Sequence, residues 1–124
     1  MHIGHDCVVG DNCILVNNAS LAGHVHVGDW AIISGYALIH QFVSIGAHSF
    51  TGAAAYLTQD LPAYVMAAGS PAEAKTINVE GLKRRGFDRA AIAAIKQAFK
   101  ILYRQGYGLQ EAIGLLDTLA REQP

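Results

Sequence analysis

The chain has 124 residues, 52% of them hydrophobic and 15% charged, which suits one modest folded domain and excludes a disordered chain. Nine Lys and Arg against ten Asp and Glu leave a net charge of -1, so there is no global attraction to nucleic acid or to an anionic membrane. No apolar run reaches the ~20 residues of a membrane span, MHIGHDC is not a signal peptide, and two cysteines fit a reducing compartment.

From Ile3 onward the chain repeats every six residues. Ile3, Val9, Leu15, Leu21, Val27, Ile33, Ile39, Ile45, Thr51 and Leu57 share one phase, and Thr51 alone among them is not aliphatic. The next position is mostly small (Gly4, Gly10, Ala22, Gly28, Gly46), and the fifth position of each hexad is small to medium (Cys7, Cys13, Ala19, Val25, Ala31). A helix of 3.6 residues per turn cannot keep such a phase on one face, and plain β alternation repeats every two. The period predicts a parallel β-helix in which three hexads close one triangular coil of about 18 residues and the coils stack about 4.8 Å apart. These coils are predicted over residues 1–61, with the period stopping at Asp60-Leu61-Pro62.

Pro62, Gly69 and Pro71 predict an irregular connection over residues 62–78. Residues 79–124 are predicted as an α-helical C-terminal region. A short helix over 79–85 is closed by Gly86, and Asp88 caps a second over 89–105 with Ile92, Ile95, Phe99 and Leu102 inward. A third helix is predicted over 109–121, with Ile113, Leu116 and Leu119 inward. The fold class is mainly β, a β-helix followed by a helical cap.

Stacking turns a separation of 18 residues into adjacency. Residues 4, 22 and 40 share a ladder, as do 5, 23 and 41, and 6, 24 and 42. His5, Asp6, Gly23, His24, His40 and Gln41 therefore meet on one edge of the prism. A neutral imidazole titrates near physiological pH and can take a hydroxyl proton. Gly23 has no side chain, so its N–H can face a developing oxyanion. Asp6 follows His5 directly, and at a corner the spacing leaves open which way it points. None of Ser20, Ser34 and Ser49 sits in a nucleophile elbow. A metal reading would use His2, His5, His24 and His40, but Cys7 and Cys13 fall on the inward position and no metal is expected. His26 and His48 lie off this edge.

The strings GHDC, NNASLAGHV, HQF, IGAHSF and EGLKRRGF, in that order, resemble the acyl carrier protein-dependent UDP-N-acetylglucosamine O-acyltransferases of lipid A synthesis. The resemblance runs along essentially the whole chain. It implies a left-handed β-helix, a homotrimer with sites between subunits, and a cytoplasmic enzyme without cofactor or metal. The implied reaction moves a (3R)-hydroxyacyl group from the phosphopantetheine of acyl carrier protein to the glucosamine 3-hydroxyl of UDP-N-acetylglucosamine. On the same ground His5 matches the general base, Asp6 its supporting acid, and Gly23 the oxyanion N–H. His2, His24, His40 and Gln41 match residues contacting the sugar nucleotide or the acyl-pantetheine. Asn78, Glu80, Arg84 and Arg85 match the C-terminal side of the nucleotide pocket. Ala53 matches the floor of the acyl groove, where glycine admits long chains and methionine restricts them.

Read without the family, Lys83-Arg84-Arg85 is as readily a solvated charge cluster, although a guanidinium fork suits diphosphate. Family members are longer, with coils ahead of the position of Met1 that carry a lysine and an aspartate for substrate. The chain is thus expected to be a truncated frame, a fragment or a shortened protein. The alternatives are a non-catalytic β-helix that trimerises or binds sugar nucleotide, and a related hexapeptide sugar N-acyltransferase that makes an amide.

Overall fold

Each hexad folds as a two-residue strand and a turn in the computed structural model, which describes residues 2–103. The first coil holds β1 (His2–Ile3), β2 (Val8–Val9) and β3 (Ile14–Leu15). The second holds β4 (Ser20–Leu21), β5 (His26–Val27) and β6 (Ile32–Ile33), and the third β7 (Leu38–Ile39), β8 (Ser44–Ile45) and β9 (Phe50–Thr51). A fourth begins with β10 (Tyr56–Leu57) and continues into β11 (Val65–Gly69) and β12 (Ala72–Ile77). Parallel pairing is in the predicted register: His2 faces Ser20, Ser20 faces Leu38, and Leu38 faces Tyr56. Three sheets result, β1-β4-β7-β10, β2-β5-β8 and β3-β6-β9-β11-β12, one for each face of a parallel β-solenoid.

The core follows the hexad phase. Leu21, Ile33, Ile39, Ile45 and Leu57 are buried, and the fifth positions Ala19, Val25, Ala31, Ala37 and Val43 pack beside them. Cys7 and Cys13 donate their thiols to the carbonyls of Ala22 and Gly28, each at 3.1 Å, as inward residues hydrogen-bonding to the next coil. Burial pushes the Cys13 thiol above its ordinary pKa, which suits a structural rather than a reactive cysteine. At the N-terminal end the same inward phase is open: Ile3 is 46% and Val9 37% exposed.

The coils turn at left-handed residues. Asp6, Asn12, Asn18, His24, Trp30, Tyr36, Phe42, His48 and Ala54 all have φ between 56 and 65°, one per hexad. They stack as three corner ladders, Asp6-His24-Phe42, Asn12-Trp30-His48 and Asn18-Tyr36-Ala54. Close coil stacking also restricts the residue that follows a strand: a Cβ on Gly28 would lie 2.6 Å from the Ala47 nitrogen.

The segment 62–78, expected to be irregular, is a β-hairpin. β11 and β12 pair antiparallel, and β11 also adds to β9 in parallel. The solenoid continues past Asp60, but its step shrinks from 18 to 16 residues: Leu61 bridges Ile45 and Ala67 faces Thr51. Two residues drop out of the fourth coil, so the six-residue phase is lost while the inward ladder is kept. Pro62 and Pro71 flank these strands instead of replacing them.

The chain divides into two compact units between Asn78 and Val79. The second unit contains α1 (Val79–Arg84) and α2 (Arg89–Tyr103). Gly86, with φ of 85°, closes α1, and the Asp88 carboxylate accepts from the Ala91 N–H at 2.8 Å as the expected N-cap of α2. Phe99 is buried as predicted, but Leu102 is 42% exposed and Ile101, on the other side of the helix, is buried. Periodicity marks apolar residues, not which of two apolar sides is covered. The helix predicted over 109–121 lies outside the described residues. Among those described, no helix is long and apolar enough to cross a membrane.

Candidate active site

The 18-residue register brings His5, Asp6, Gly23 and His24 onto one corner. Left-handed backbone at Asp6 (φ 58°) turns its carboxylate back towards the preceding residue, and Asp6 Oδ2 lies 3.1 Å from His5 Nδ1. A carboxylate only accepts, so Nδ1 carries the proton and Nε2 carries the free lone pair. The direction of Asp6, open at the sequence level, is thereby resolved. Its pKa is lowered from 3.8, first by the hydrogen bond from His5 and then by the positive charge available on His24. His24 Nε2 stands 3.9 Å from the same carboxylate oxygen.

Two ring contacts hold the imidazoles. His5 meets His24 edge-on, with centroids 4.9 Å apart and planes at 90°. His24 in turn stacks on Phe42 at 4.7 Å and 6°. Sequence reasoning does not single out Phe42, although it shares the 6-24-42 ladder; the 18-residue step is the signal that marks it.

Gly23 lies directly against the His5 ring. A Cβ there would be 2.9 Å from His5 Nε2 and 3.0 Å from Cε1, so the His5 ring occupies the space of the missing side chain. The Gly23 carbonyl accepts from the Phe42 N–H, whereas no acceptor among the described residues takes the Gly23 N–H. An imidazole nitrogen with a free lone pair thus sits beside an unengaged amide donor. This pairing can remove a proton from a hydroxyl and stabilise an oxyanion.

The remaining expected residues are spread more widely. His40 and Gln41 lead into the same corner from β7, both exposed, and His40 Nδ1 lies 3.5 Å from the Tyr56 hydroxyl, a weak contact. His2 is exposed on β1. Ala53 sits beside Ala54 on the Asn18-Tyr36-Ala54 corner, away from His5. Asn78 is 3% exposed and donates its side-chain N–H to the His48 carbonyl at 3.1 Å, which puts it at the Asn12-Trp30-His48 corner. A single chain therefore brings His5, Asp6 and Gly23 together but leaves Ala53 and Asn78 on its two other corners. In the second unit, Glu80 pairs with Arg84 one helical turn on, at 3.6 Å. Burial, with some repulsion from Arg84, lowers the Arg85 pKa, but a guanidinium stays charged. His26 projects from β5, and His48 stacks between Trp30 and Tyr64, both off the site.

Fold and corner together define a hexapeptide-repeat β-solenoid protein with an imidazole–carboxylate site between successive coils. The profile of a family described as "Udp N-acetylglucosamine O-acyltransferase; Domain 2" matches residues 60–124, just over half of the chain. The chain belongs to the UDP-N-acetylglucosamine O-acyltransferase family. It is 56% identical over 123 residues to the acyl-acyl-carrier-protein–UDP-N-acetylglucosamine O-acyltransferase of Pseudomonas entomophila (strain L48), covering 99% of this chain and 48% of that protein. The UDP-N-acetylglucosamine O-acyltransferase structure from Moraxella catarrhalis superposes with a TM-score of 0.94 at 42% identity, over 97% of this chain and 47% of that one. For the Francisella novicida UDP-N-acetylglucosamine acyltransferase the TM-score is 0.93 at 41% identity, over 96% and 44%. The chain thus spans about half the length of the relatives it matches.

Proposed function

We propose that this chain carries the catalytic corner of an acyltransferase that moves a (3R)-hydroxyacyl group from acyl carrier protein to the glucosamine 3-hydroxyl of UDP-N-acetylglucosamine. The observation that carries this reading is His5 Nε2, held by the Asp6 carboxylate and lying against Gly23. His5 Nε2 takes the hydroxyl proton as the sugar oxygen attacks the thioester carbonyl. The Gly23 N–H donates to the oxyanion of the tetrahedral intermediate. As the carbon–sulfur bond breaks, the His5 imidazolium returns its proton to the pantetheine sulfur. The acyl group arrives already activated as a thioester, so the steps need only proton transfer and charge stabilisation, with acyl carrier protein as co-substrate.

His24, which meets His5 edge-on, and His40, Gln41 and His2 are assigned to hold the two substrates. Arg84 and Arg85 suit a diphosphate, and Asn78 and Glu80 are each assigned to the nucleotide as well. Because Ala53 and Asn78 sit on other corners, the site is assigned to the junction between copies in a homotrimer, where a neighbour's corner meets this one. The free thiols of Cys7 and Cys13 accord with a cytoplasmic setting.

A second reading is a β-helix that binds sugar nucleotide without turnover. One assay separates the two. The chain, alone and joined to the N-terminal half of the Pseudomonas entomophila relative, is given hydroxyacyl-acyl carrier protein and UDP-N-acetylglucosamine, and the product is read by mass spectrometry. Ester formation in either form is the expected result, and its absence from both, with nucleotide binding retained, would establish the second reading. In the active form, His5→Ala should lower turnover by at least about 10²-fold.

A further inference from the structure

The catalytic corner has a second chemical capacity. The donor atoms of His5, Asp6 and His24 all lie within 4.8 Å of one another. The two distances through the carboxylate, 3.1 Å to His5 Nδ1 and 3.9 Å to His24 Nε2, bracket the separation of about 3.3 Å between neighbouring ligands of a tetrahedral zinc ion with bonds near 2.0–2.1 Å. Two imidazoles and one carboxylate suit zinc and similar borderline cations, and poorly suit magnesium or calcium. Asp6 and His24 are held in advance, by left-handed backbone at both and by the stack of His24 on Phe42, and His5 meets Asp6 at 3.1 Å. Their side chains are 40–76% exposed, so an ion can enter from solvent and keep water in its remaining position.

We propose that His5, Asp6 and His24 form an inhibitory site for zinc-like divalent cations. The inhibitory part of the proposal rests on the acyl-transfer reading; the binding part does not. A metal bound at His5 Nδ1 takes the place of the hydrogen bond to Asp6, and the ring's one proton passes through water from Nδ1 to Nε2. The imidazole then keeps its one proton on Nε2, the nitrogen beside Gly23, and has no lone pair there to take a hydroxyl proton. The ion thus silences the base from the far side of its ring without entering the space next to Gly23.

Cobalt(II) titration of the purified 124-residue chain, followed by its visible absorption bands, tests the site directly. Saturable bands at one ion per chain, abolished by zinc, are expected. His24→Asn and Asp6→Asn, which both tolerate the left-handed backbone, should each weaken binding by at least about tenfold. His26→Gln, off the corner, should leave binding unchanged. Nitrogen-15 spectra of the zinc-bound chain should show His5 protonated at Nε2. Absence of saturable bands, wild-type affinity in His24→Asn, or an unprotonated Nε2 in the zinc complex would each overturn the proposal. In the form that turns over, zinc should inhibit with a constant matching the binding constant and a chelator should restore the rate. Binding without any turnover in zinc-free buffer would instead count against the acyl-transfer reading.

Discussion

At Gly23 the absent side chain matters more than the backbone freedom of glycine. Its φ is not left-handed, so alanine fits the backbone, but the new Cβ would press on His5 Nε2 and Cε1. His5 is exposed and can swing away, so the clash is relieved by moving the imidazole and not by straining the fold. Gly23→Ala should therefore unfold within about 0.5 kcal/mol of wild type while turnover falls about 10²-fold through misplacement. A variant that stays fully active would show that His5 acts from another position. Asp6 supplies the matching electrostatic test. Its depressed pKa means that its pairing stabilises the folded chain above pH 3.8 and is lost as pH falls through the lower folded value. In chelator-treated buffer the Asp6 carboxyl should titrate below 3.8 by NMR, and His5→Ala should move it back towards 3.8, because the His5 hydrogen bond is the larger cause. An unmoved midpoint would reassign the shift to His24.

Each hexad imposes the same strand and the same turn on whatever residues occupy it. That regularity made the solenoid readable from Ile3 to Leu57, since neither a helix nor a plain strand keeps an aliphatic phase of six. It also made one hexad member conspicuous. Thr51 lies in the inward phase of β9, fully buried, and its hydroxyl has no hydrogen-bond partner among the described residues. Thr51→Val keeps the shape and removes the unsatisfied group, so thermal unfolding should rise, by about 1–2 kcal/mol of added stability. An unchanged or lower midpoint would mean that the hydroxyl finds a partner in solution. The turns were legible only in part. Asp6, Asn12, Asn18 and His24 are residue types that favour left-handed backbone, but Trp30, Tyr36 and Phe42 adopt it because coil geometry demands it. Local preference could not reveal that the same turn continues through aromatic residues, nor therefore that Phe42 would stack on His24. The hairpin from Val65 to Ile77 was missed for a related reason: two residues left the coil, the period failed, and the alternating burial of Val65 and Ala67 was too short to stand out.

For the molecule as a whole, the relevant fact is that the expected site residues occupy three different corners. The His5 corner was legible because an 18-residue step is arithmetic, whereas the proposed joining of Ala53 and Asn78 to it depends on neighbouring copies. Light scattering on the purified chain should give three chains per particle; a stable monomer would remove the shared site. Ala53, exposed on its corner, adds one methyl relative to glycine and should close little of an acyl groove. The active form should accordingly prefer hydroxyacyl donors of roughly 12 to 14 carbons over 10, because each buried CH₂ adds about 0.8 kcal/mol. Ala53→Met should shift that preference towards 10 carbons. Competition among the three donors decides it, and a wild-type preference for 10 carbons would exclude Ala53 as the groove floor.

The register of His2 on Ser20 and Ser20 on Leu38 also governs which changes of chain length the site can survive. Six residues inserted at the Asn17-Asn18 turn would keep every later side chain inward or outward as before, yet carry Gly23 and His24 round to the next corner. Eighteen inserted there would restore the corner but lift Gly23 one further rung, about 4.8 Å, beyond reach of His5. Between His5 and His24 the chain therefore behaves like a thread of fixed pitch, in which neither a partial nor a whole extra turn is harmless. Because Phe42 stacks on His24 from the next rung, growth of the solenoid that spares this corner is confined to stretches outside His5 to Phe42, where entire coils can be gained or lost and these contacts do not register the difference.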